Sequence, residues 1–215
     1  DDLNRAKEET LKANNMTEAY LRPVAWRGSE QMGIAARQTK THVAIACWDW
    51  PSYFDPEQKK KGIRLTWAKY SRPSPQTAPT MAKAAGLYMI CTMSKNAAER
   101  RGFADALMLD WRGYVAEATG ANVFFVRDGE IHTPLADAFL NGITRQTIIQ
   151  MCKDQGMAVH ERHILPEEVD SFQECFLTGS AAEVTPVAQI GEDWHFQVGP
   201  VTRKIAETYE ALVRA

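Results

Sequence analysis

The sequence has no long apolar run and no strong excess of charge of either sign. No stretch approaches the ~20 consecutive apolar residues that span a bilayer, so nothing indicates a transmembrane helix. With 25 basic and 27 acidic residues the formal net charge is −2, which gives no electrostatic case for binding nucleic acid or an anionic membrane. Its 215 residues, 45% of them apolar and 24% charged, are typical of a soluble globular protein of one or two domains.

Cysteine is scarce, and its spacing excludes two kinds of architecture. Cys47, Cys91, Cys152 and Cys175 are scattered, with no Cys-x-x-Cys pair. They therefore indicate neither a disulfide framework nor a zinc site. We predict reduced, mostly buried thiols in a cytoplasmic protein that carries no metal.

Helical and strand patterns alternate along the chain, which predicts a mixed α/β (α+β) fold. A change of composition near residues 51–62 is the best candidate for an interdomain linker. It would separate a small domain at 1–50 from a large domain at 63–215. In the small domain, the apolar strand predicted at 42–50 is expected to be covered on both faces or to pair centrally in a sheet.

Residues 110–145 are the most informative part of the sequence. Tyr114–Val126 has strand composition interrupted by Ala-Thr-Gly-Ala, and Asp128-Gly129 is a strong signal for a two-residue hairpin turn. Glu117 is then a carboxylate beside a bend in an apolar strand segment. An unpaired charge there would be costly, so we expect another group to balance it.

Short patterns with fixed spacing carry a resemblance to a known family. They are Glu117-x-Thr119-x-x-Asn122, Ile131-x-Thr133 and Leu140-x-Gly142-Ile143-x-Arg145. This spacing resembles the signature of the class IV (fold type IV) aminotransferases, which depend on pyridoxal 5′-phosphate (PLP). The wording Gly113-Tyr-Val-x-Glu117 looks most like the branched-chain amino acid aminotransferases. The resemblance covers essentially the whole chain and implies their fold, with a partial small α/β domain and a complete large domain.

PLP needs a lysine that binds it as a Schiff base, a partner for its ring nitrogen, and hydrogen bonds to its ring hydroxyl and phosphate. Lys83 lies among small residues, which leaves room for a flat ring. By resemblance, Thr80-x-x-Lys83-Ala-x-Gly-x-Tyr88 contains the Schiff-base lysine, which is also the general acid/base. Tyr88 would contact the ring hydroxyl and Glu117 the ring nitrogen. A helix is predicted from Thr80 to about Arg101, but a spacing of five residues does not suit one helical face. Either the helix starts after Lys83 or the chain bends near Gly86.

Two segments are predicted to hold the phosphate. Gly142-Ile143-Thr144 opens a helix predicted over 143–157, where free N–H groups favour an anion. Gly179-Ser180 ends a strand with small residues and a hydroxyl group. The predicted cofactor-binding set is Lys83, Tyr88, Glu117, Asn122, Gly142, Ile143, Thr144, Gly179 and Ser180.

The substrate side of the site is predicted mainly by resemblance. Arg22 matches a family arginine near the substrate carboxylate, and Met32 and Trp50 match positions that line the side-chain pocket. The predicted substrate-binding set is Tyr20, Arg22, Met32, Trp50, Ser180, Ala181 and Ala182.

The resemblance implies transamination of leucine, isoleucine or valine with 2-oxoglutarate, as in amino-acid biosynthesis, by a homodimer or higher homo-oligomer. Two alternatives stay open. The same cofactor could serve a D-amino acid aminotransferase or an aminodeoxychorismate lyase of the same class. The chain could also be a non-catalytic fragment of such an enzyme.

The first residues enter a helical pattern at once, without an initiator Met. We therefore expect an N-terminally truncated chain. The family's phosphate-binding arginine would lie in a segment that precedes Asp1. On this expectation the isolated chain binds PLP weakly and transaminates poorly.

Overall fold

The computed structural model describes residues 1–35, 37–50 and 53–214. They belong to two compact units, Asp1–Tyr53 and Phe54–Ala215. Helices and strands are mixed in both units, so the predicted α/β (α+β) class is confirmed. The boundaries predicted at 1–50, 51–62 and 63–215 stay a prediction, and positions 51 and 52 of the predicted linker lie outside the described residues.

The first unit consists of one helix and a two-stranded antiparallel sheet. Helix α1 (Asp2–Ala13) begins where the Asp1 side chain accepts a hydrogen bond from the backbone N–H of Asn4, a common N-terminal cap. Strand β1 (Tyr20–Arg27) pairs with β2 (Thr41–Trp48) along its whole length.

Burial in the first unit differs from the sequence prediction. Among its described residues only Thr39 is buried, and Val43 in β2 is 50% exposed. In the described part of the chain β1 is the only strand that pairs with β2. The prediction that β2 is covered on both faces or paired centrally is therefore wrong for this chain. Its apolar composition shows that it suits burial, but no other described strand of this chain lies beside it.

The second unit contains four helices and nine strands among its described residues. The helices are α2 (Pro56–Lys61), α3 (Tyr88–Arg100), α4 (Ile143–Asp154) and α5 (Pro200–Val213), with 3₁₀ turns at Ala85–Leu87 and Pro166–Ser171. The strands are β3 (Ile63–Trp67), β4 (Asp105–Leu109), β5 (Val115–Ala118), β6 (Asn122–Arg127), β7 (Glu130–Pro134), β8 (Val159–Arg162), β9 (Glu174–Gly179), β10 (Glu183–Ile190) and β11 (Trp194–His195).

The nine strands form one sheet that closes on itself. Its order is β11-β10-β3-β4-β5-β6-β7-β8, and β9 pairs with both β10 and β6. Six strands therefore form a continuous ring, from β10 through β3, β4, β5, β6 and β9 back to β10. Phe124 of β6 stacks on Phe176 of β9 with ring centroids 5.0 Å apart, and α4 and α5 contribute Ile148 and Ile205 to this core.

The predicted hairpin at the centre of the sequence is confirmed. Asp128 and Gly129 both have positive φ, at 52° and 82°, as a two-residue turn of the mirror-image type requires. The predicted break before β6 is present as well, and Glu117 of β5 lies opposite Asn122 of β6.

The predicted helix over 80–101 is shorter in the structure. Ala82 donates its N–H to the carbonyl of Pro79 at 2.9 Å, and Ala84 is extended with ψ 135°. Regular α-helix then begins only at Tyr88. Of the two possibilities, the helix starts after Lys83, so that Lys83 and Tyr88 do not have to share a helical face.

Two general predictions concern the thiols and the membrane. All four cysteines are free; Cys91, Cys152 and Cys175 are buried and Cys47 is half-buried, so the predicted thiols are confirmed. No helix within the described ranges has the length and apolar character needed to cross a bilayer.

Candidate active site

A cavity of about 330 Å³ opens among the strands of the second unit, at the small end of the range for small-molecule pockets. All nine residues of the predicted cofactor set line it. The sequence reasoning missed several other lining residues, chiefly Arg72, Leu87, Cys91 and Leu140. Residues that lie as far apart in the chain as 83 and 180 thus line one cavity.

Lys83 and Tyr88 meet at one side of this cavity. The Lys83 amine, Nζ, donates a hydrogen bond to the Tyr88 hydroxyl at 2.6 Å. The turn at Ala85–Leu87 brings the two side chains together. Both are solvent-accessible, so a ligand can reach the amine.

Glu117 is the buried carboxyl group of the cavity, and Arg72 is the cation beside it. Arg72 Nε lies 3.3 Å from Glu117 Oε1, and both side chains are nearly inaccessible to solvent. Burial raises the pKa of Glu117 to about 8, while Arg72 and then Lys83 act to lower it. The sequence predicted that some group would balance Glu117 but could not name Arg72. The only indication in the sequence was that a buried carboxylate at this position needs a cation nearby.

Asn122 links Glu117 to the opposite end of the cavity. Its Nδ2 donates to Glu117 Oε2 at 3.2 Å and to the Leu140 carbonyl at 3.0 Å, and its Oδ1 accepts from the Gly142 N–H at 3.2 Å. A Cβ on Gly142 would collide with Asn122 Oδ1. Only glycine therefore lets the chain pass this close.

Two chain segments give the far end of the cavity its preference for an anion. Helix α4 begins at Ile143 after Gly142, and no side chain caps it. Its first N–H groups and its dipole thus suit an anion. Ser180 and Thr178 line the same cavity from the end of β9. The buried Thr178 hydroxyl has no hydrogen-bond partner among the described residues.

The predicted substrate residues fall into two groups. Ser180 lines the cavity, whereas Ala181 and Ala182 follow it in the turn before β10 and are not among the lining residues. The other four belong to the first unit. There Tyr20 packs on Trp50 with ring centroids 4.8 Å apart, the Arg22 guanidinium lies 5.8 Å from the Tyr20 ring, and Met32 is 97% exposed. Their roles in substrate binding stay predictions.

The side chains present fit PLP. A buried carboxylate suits a protonated ring nitrogen, and an accessible amine beside a phenol suits a carbonyl next to a ring hydroxyl. An uncapped helix N-terminus, the unsatisfied Thr178 hydroxyl and the Ser180 hydroxyl suit a phosphate. These features lie around one cavity, with the carboxylate and the helix at opposite ends of the Asn122 side chain.

The family described as amino-transferase class IV matches residues 1–190. The chain belongs to this family. The family resemblance inferred from the sequence is therefore confirmed.

Similar proteins within the family include both sequences and solved structures. The branched-chain-amino-acid aminotransferase of Pseudomonas aeruginosa is 39% identical over an alignment of 215 positions that covers 99% of this chain and 70% of that protein. A crystal structure of a branched-chain aminotransferase from Thermoproteus uzoniensis with norvaline has a TM-score of 0.92 and 37% identity, covering 99% of this chain and 70% of that one. The T.th. branched-chain amino acid aminotransferase complexed with N-(5′-phosphopyridoxyl)-L-glutamate has a TM-score of 0.90 and 35% identity, covering 98% and 70%.

One group of side chains outside the aminotransferase cavity has the composition of a metal site. Potential ligand atoms of Glu130, His132 and His160 lie within 4.8 Å of one another. However, Arg162 Nε donates to His132 Nδ1 at 3.3 Å, so a neutral His132 ring carries its proton on Nε2. Neither ring nitrogen then offers a free lone pair, and we assign no metal to this group.

Proposed function

We propose that this chain catalyses PLP-dependent transfer of the amino group between leucine, isoleucine or valine and 2-oxoglutarate. The observation that carries the proposal is the convergence of Lys83, Tyr88 and Glu117 with the N-terminus of α4 on one cavity. Support for the substrate class comes from the branched-chain relatives, one of which was crystallised with norvaline. The phosphopyridoxyl-glutamate complex of the T.th. enzyme supports both PLP and a glutamate/2-oxoglutarate pair.

Bound PLP supplies an electron-withdrawing ring that stabilises negative charge on the substrate carbon when its proton leaves. Lys83 Nζ would hold the cofactor covalently, and its amine, once released, would move the proton between the two reacting carbons. Its contact with the Tyr88 hydroxyl at 2.6 Å holds the amine beside the phenol.

Glu117 would keep the proton on the ring nitrogen. Its buried carboxylate is unfavourable as a lone anion, as the raised pKa shows. A second cation beside it, besides Arg72, stabilises the ionised form. A protonated ring nitrogen and the Glu117 carboxylate therefore stabilise each other's charged state. The first turn of α4 and the Ser180 hydroxyl would bind the phosphate.

The predicted substrate-binding set would bind the carboxylate and the side chain of the substrate. We propose that Arg22 and Tyr20 act on the carboxylate side, and that the apolar surfaces of Met32 and Trp50 accept the side chain. The backbone at Ser180, Ala181 and Ala182 would contribute N–H groups. The exposed Arg22 in a strand of aromatic neighbours is consistent with this role.

We further propose that the protein works in the cytoplasm as a homodimer. Four free thiols suit a reducing compartment. The exposed apolar side chains Val24, Trp26 and Val43 on the first unit's sheet suit a covered surface. Light scattering of the purified protein, showing a mass of twice the 24.1 kDa of the chain, would support the dimer; a monomer would refute it.

A spectral titration followed by a comparison of amino donors tests the proposed activity. The purified chain mixed with PLP should develop a visible absorbance band that depends on pH. Adding L-leucine should bleach that band and form the 2-oxo acid, whereas D-alanine should not. Bleaching by D-alanine alone would favour a D-amino acid enzyme, and release of pyruvate from aminodeoxychorismate would favour a lyase. Absence of any band would refute PLP binding.

A further inference from the structure

Arg145 is a completely buried cation that the reaction itself does not use. It is 1% exposed and heads the largest fully buried side chains of the described chain. A buried guanidinium is costly unless it is paired and hydrogen-bonded. From the sequence alone, Arg145 is only the last residue of the pattern Leu140-x-Gly142-Ile143-x-Arg145, and no function is assigned to it.

The partners of Arg145 come from three different segments. Its Nη1 donates to Asn141 Oδ1 at 2.8 Å. Its Nη2 donates to the Pro134 carbonyl at 2.9 Å and to Glu161 Oε2 at 3.0 Å. Pro134 ends β7 and Glu161 lies in β8. One planar fork thus fastens Asn141 to the edge of the sheet.

Asn141 stands at the anion-binding end of the cavity. It lines the cavity beside Gly142 and Ile143, where α4 begins without a side-chain cap. A second bond from α4, from Gln146 Nε2 to the Asn141 carbonyl at 3.0 Å, is exposed. Asn122 of β6 holds the neighbouring Leu140 and Gly142, and the contact with the buried Arg145 is the one that ties Asn141 itself to β7 and β8.

We propose that Arg145 is a positioning residue for the phosphate of the cofactor. It fixes Asn141 and the first turn of α4 so that their N–H groups face the phosphate, and it makes no contact with the phosphate itself. This inference rests on the proposed PLP-dependent function. It applies to the phosphate end of the cavity and not to the ring end, where Glu117 and Lys83 act.

The test compares PLP with pyridoxal, which has the same ring and no phosphate. Lysine cannot reproduce a bidentate fork, so Arg145→Lys should raise the Kd for PLP about tenfold, the loss expected for one hydrogen bond to a charged group. The Kd for pyridoxal should stay within about twofold of the wild-type value. Both constants are read from the visible absorbance of the complex.

A second variant reaches the same contact from the other side. Asn141→Ala removes the partner on the cavity wall and leaves Arg145 bonded to Pro134 and Glu161, so the buried cation keeps its anchors in the sheet. Asn141→Ala should also weaken the binding of PLP more than the binding of pyridoxal. The double variant should lose no more than the larger single loss, because both changes break one contact.

Arg162→Lys is the matched control, because Arg162, the last residue of β8, also has several partners (His132, His163 and Glu168) but does not line the cavity. It should leave both Kd values unchanged. Equal losses for PLP and pyridoxal, or no loss for PLP in Arg145→Lys and Asn141→Ala, would overturn the inference while leaving the proposed function intact. A wild-type chain that binds no PLP would overturn both.

Discussion

The two units of the chain use the same apolar residue types with different results. In the second unit Val123 of β6 is completely buried, whereas Val43 of β2 in the first unit is 50% exposed. Six strands of the second unit close a ring, and helices cover its faces. The two strands of the first unit have only each other among the described residues. An apolar strand sequence therefore indicates what a strand can bury, while its neighbours decide what is buried.

This difference determines where strong electrostatics can act. Glu117 and Arg72 interact in a buried site, where charges are poorly screened. Arg22 of the first unit is exposed, so its field is screened by water and salt. We therefore propose that the reaction chemistry belongs to the second unit and that the first unit contributes only to binding the substrate.

The largest expected effect is a loss of amino-transfer activity on substitution of a lysine in the second unit but not of a lysine in the first. Lys83→Ala should abolish the covalent link to PLP and lower the rate of amino transfer by about 10²–10⁴-fold or more, since the general acid/base is lost. Lys40→Ala, at an exposed site in the first unit, should change neither. Borohydride reduction followed by peptide mapping identifies the modified residue. A label on a lysine of the first unit would reverse the assignment.

A smaller effect concerns stability. Phe124→Ala should lower the free energy of unfolding by about 3–5 kcal/mol, because it empties a fully buried position that stacks on Phe176. Val43→Ala should cost less than about 1 kcal/mol at its half-exposed site. Denaturant unfolding measures both. A cost for Val43→Ala close to that for Phe124→Ala would show that β2 is covered in solution by another chain.

The third expected effect, small for each single unit of pH, is a pH dependence of stability that has opposite sign in the two units. Glu117 has a folded pKa of about 8, above the ~4.3 of an unfolded chain. Its protonated form is favoured by folding, so its contribution to stability is complete below ~4.3 and declines as pH rises toward 8, by at most ~1.4 kcal/mol per pH unit. Glu117→Gln should remove this decline. Unfolding measured from pH 5 to 8 checks the slope, and equal slopes for both proteins would contradict it.

Glu30 of the first unit is the control, because its contribution to stability should change with pH in the opposite direction to that of Glu117. Backbone N–H groups, including that of Lys40, lower its pKa. Its contribution is therefore present above the unfolded pKa and is lost on acidification. Glu30→Gln should flatten the acid side of the stability curve, whereas Glu117→Gln acts between pH 5 and 8.

Much of the site was predictable because its residues lie in short patterns with strong local rules. The Asp128-Gly129 turn fixes a hairpin, and the glycine before a helix at Gly142 indicates an anion site. Lys83 and Glu117 came from longer patterns of the family. In each case nearby residues in the sequence carry the information.

The remainder depends on contacts between distant segments. Arg72 balances Glu117 across 45 positions of sequence, and the sequence states only that a cation is needed. The start of α3 at Tyr88 depends on the turn at Pro79–Ala82, which helix periodicity does not detect. Helix α2, of six residues, was read as part of a linker because it is too short to show a period.

The number of residues in the bend between β5 and β6 is fixed by the cofactor site. Glu117 and Asn122 face each other across it, and Asn122 Nδ2 donates to Glu117 Oε2 at 3.2 Å. Side chains alternate between the faces of a strand, so one inserted residue would turn one of the two away from the cavity. Thr119 and Gly120 line the cavity, and Thr119 Oγ1 donates to the buried Asp105, but a substitution at either position keeps the spacing of Glu117 and Asn122. An insertion or deletion there separates these two residues. In homologous genes we therefore expect no insertions or deletions in the codons between those for Glu117 and Asn122, even where the bases themselves vary.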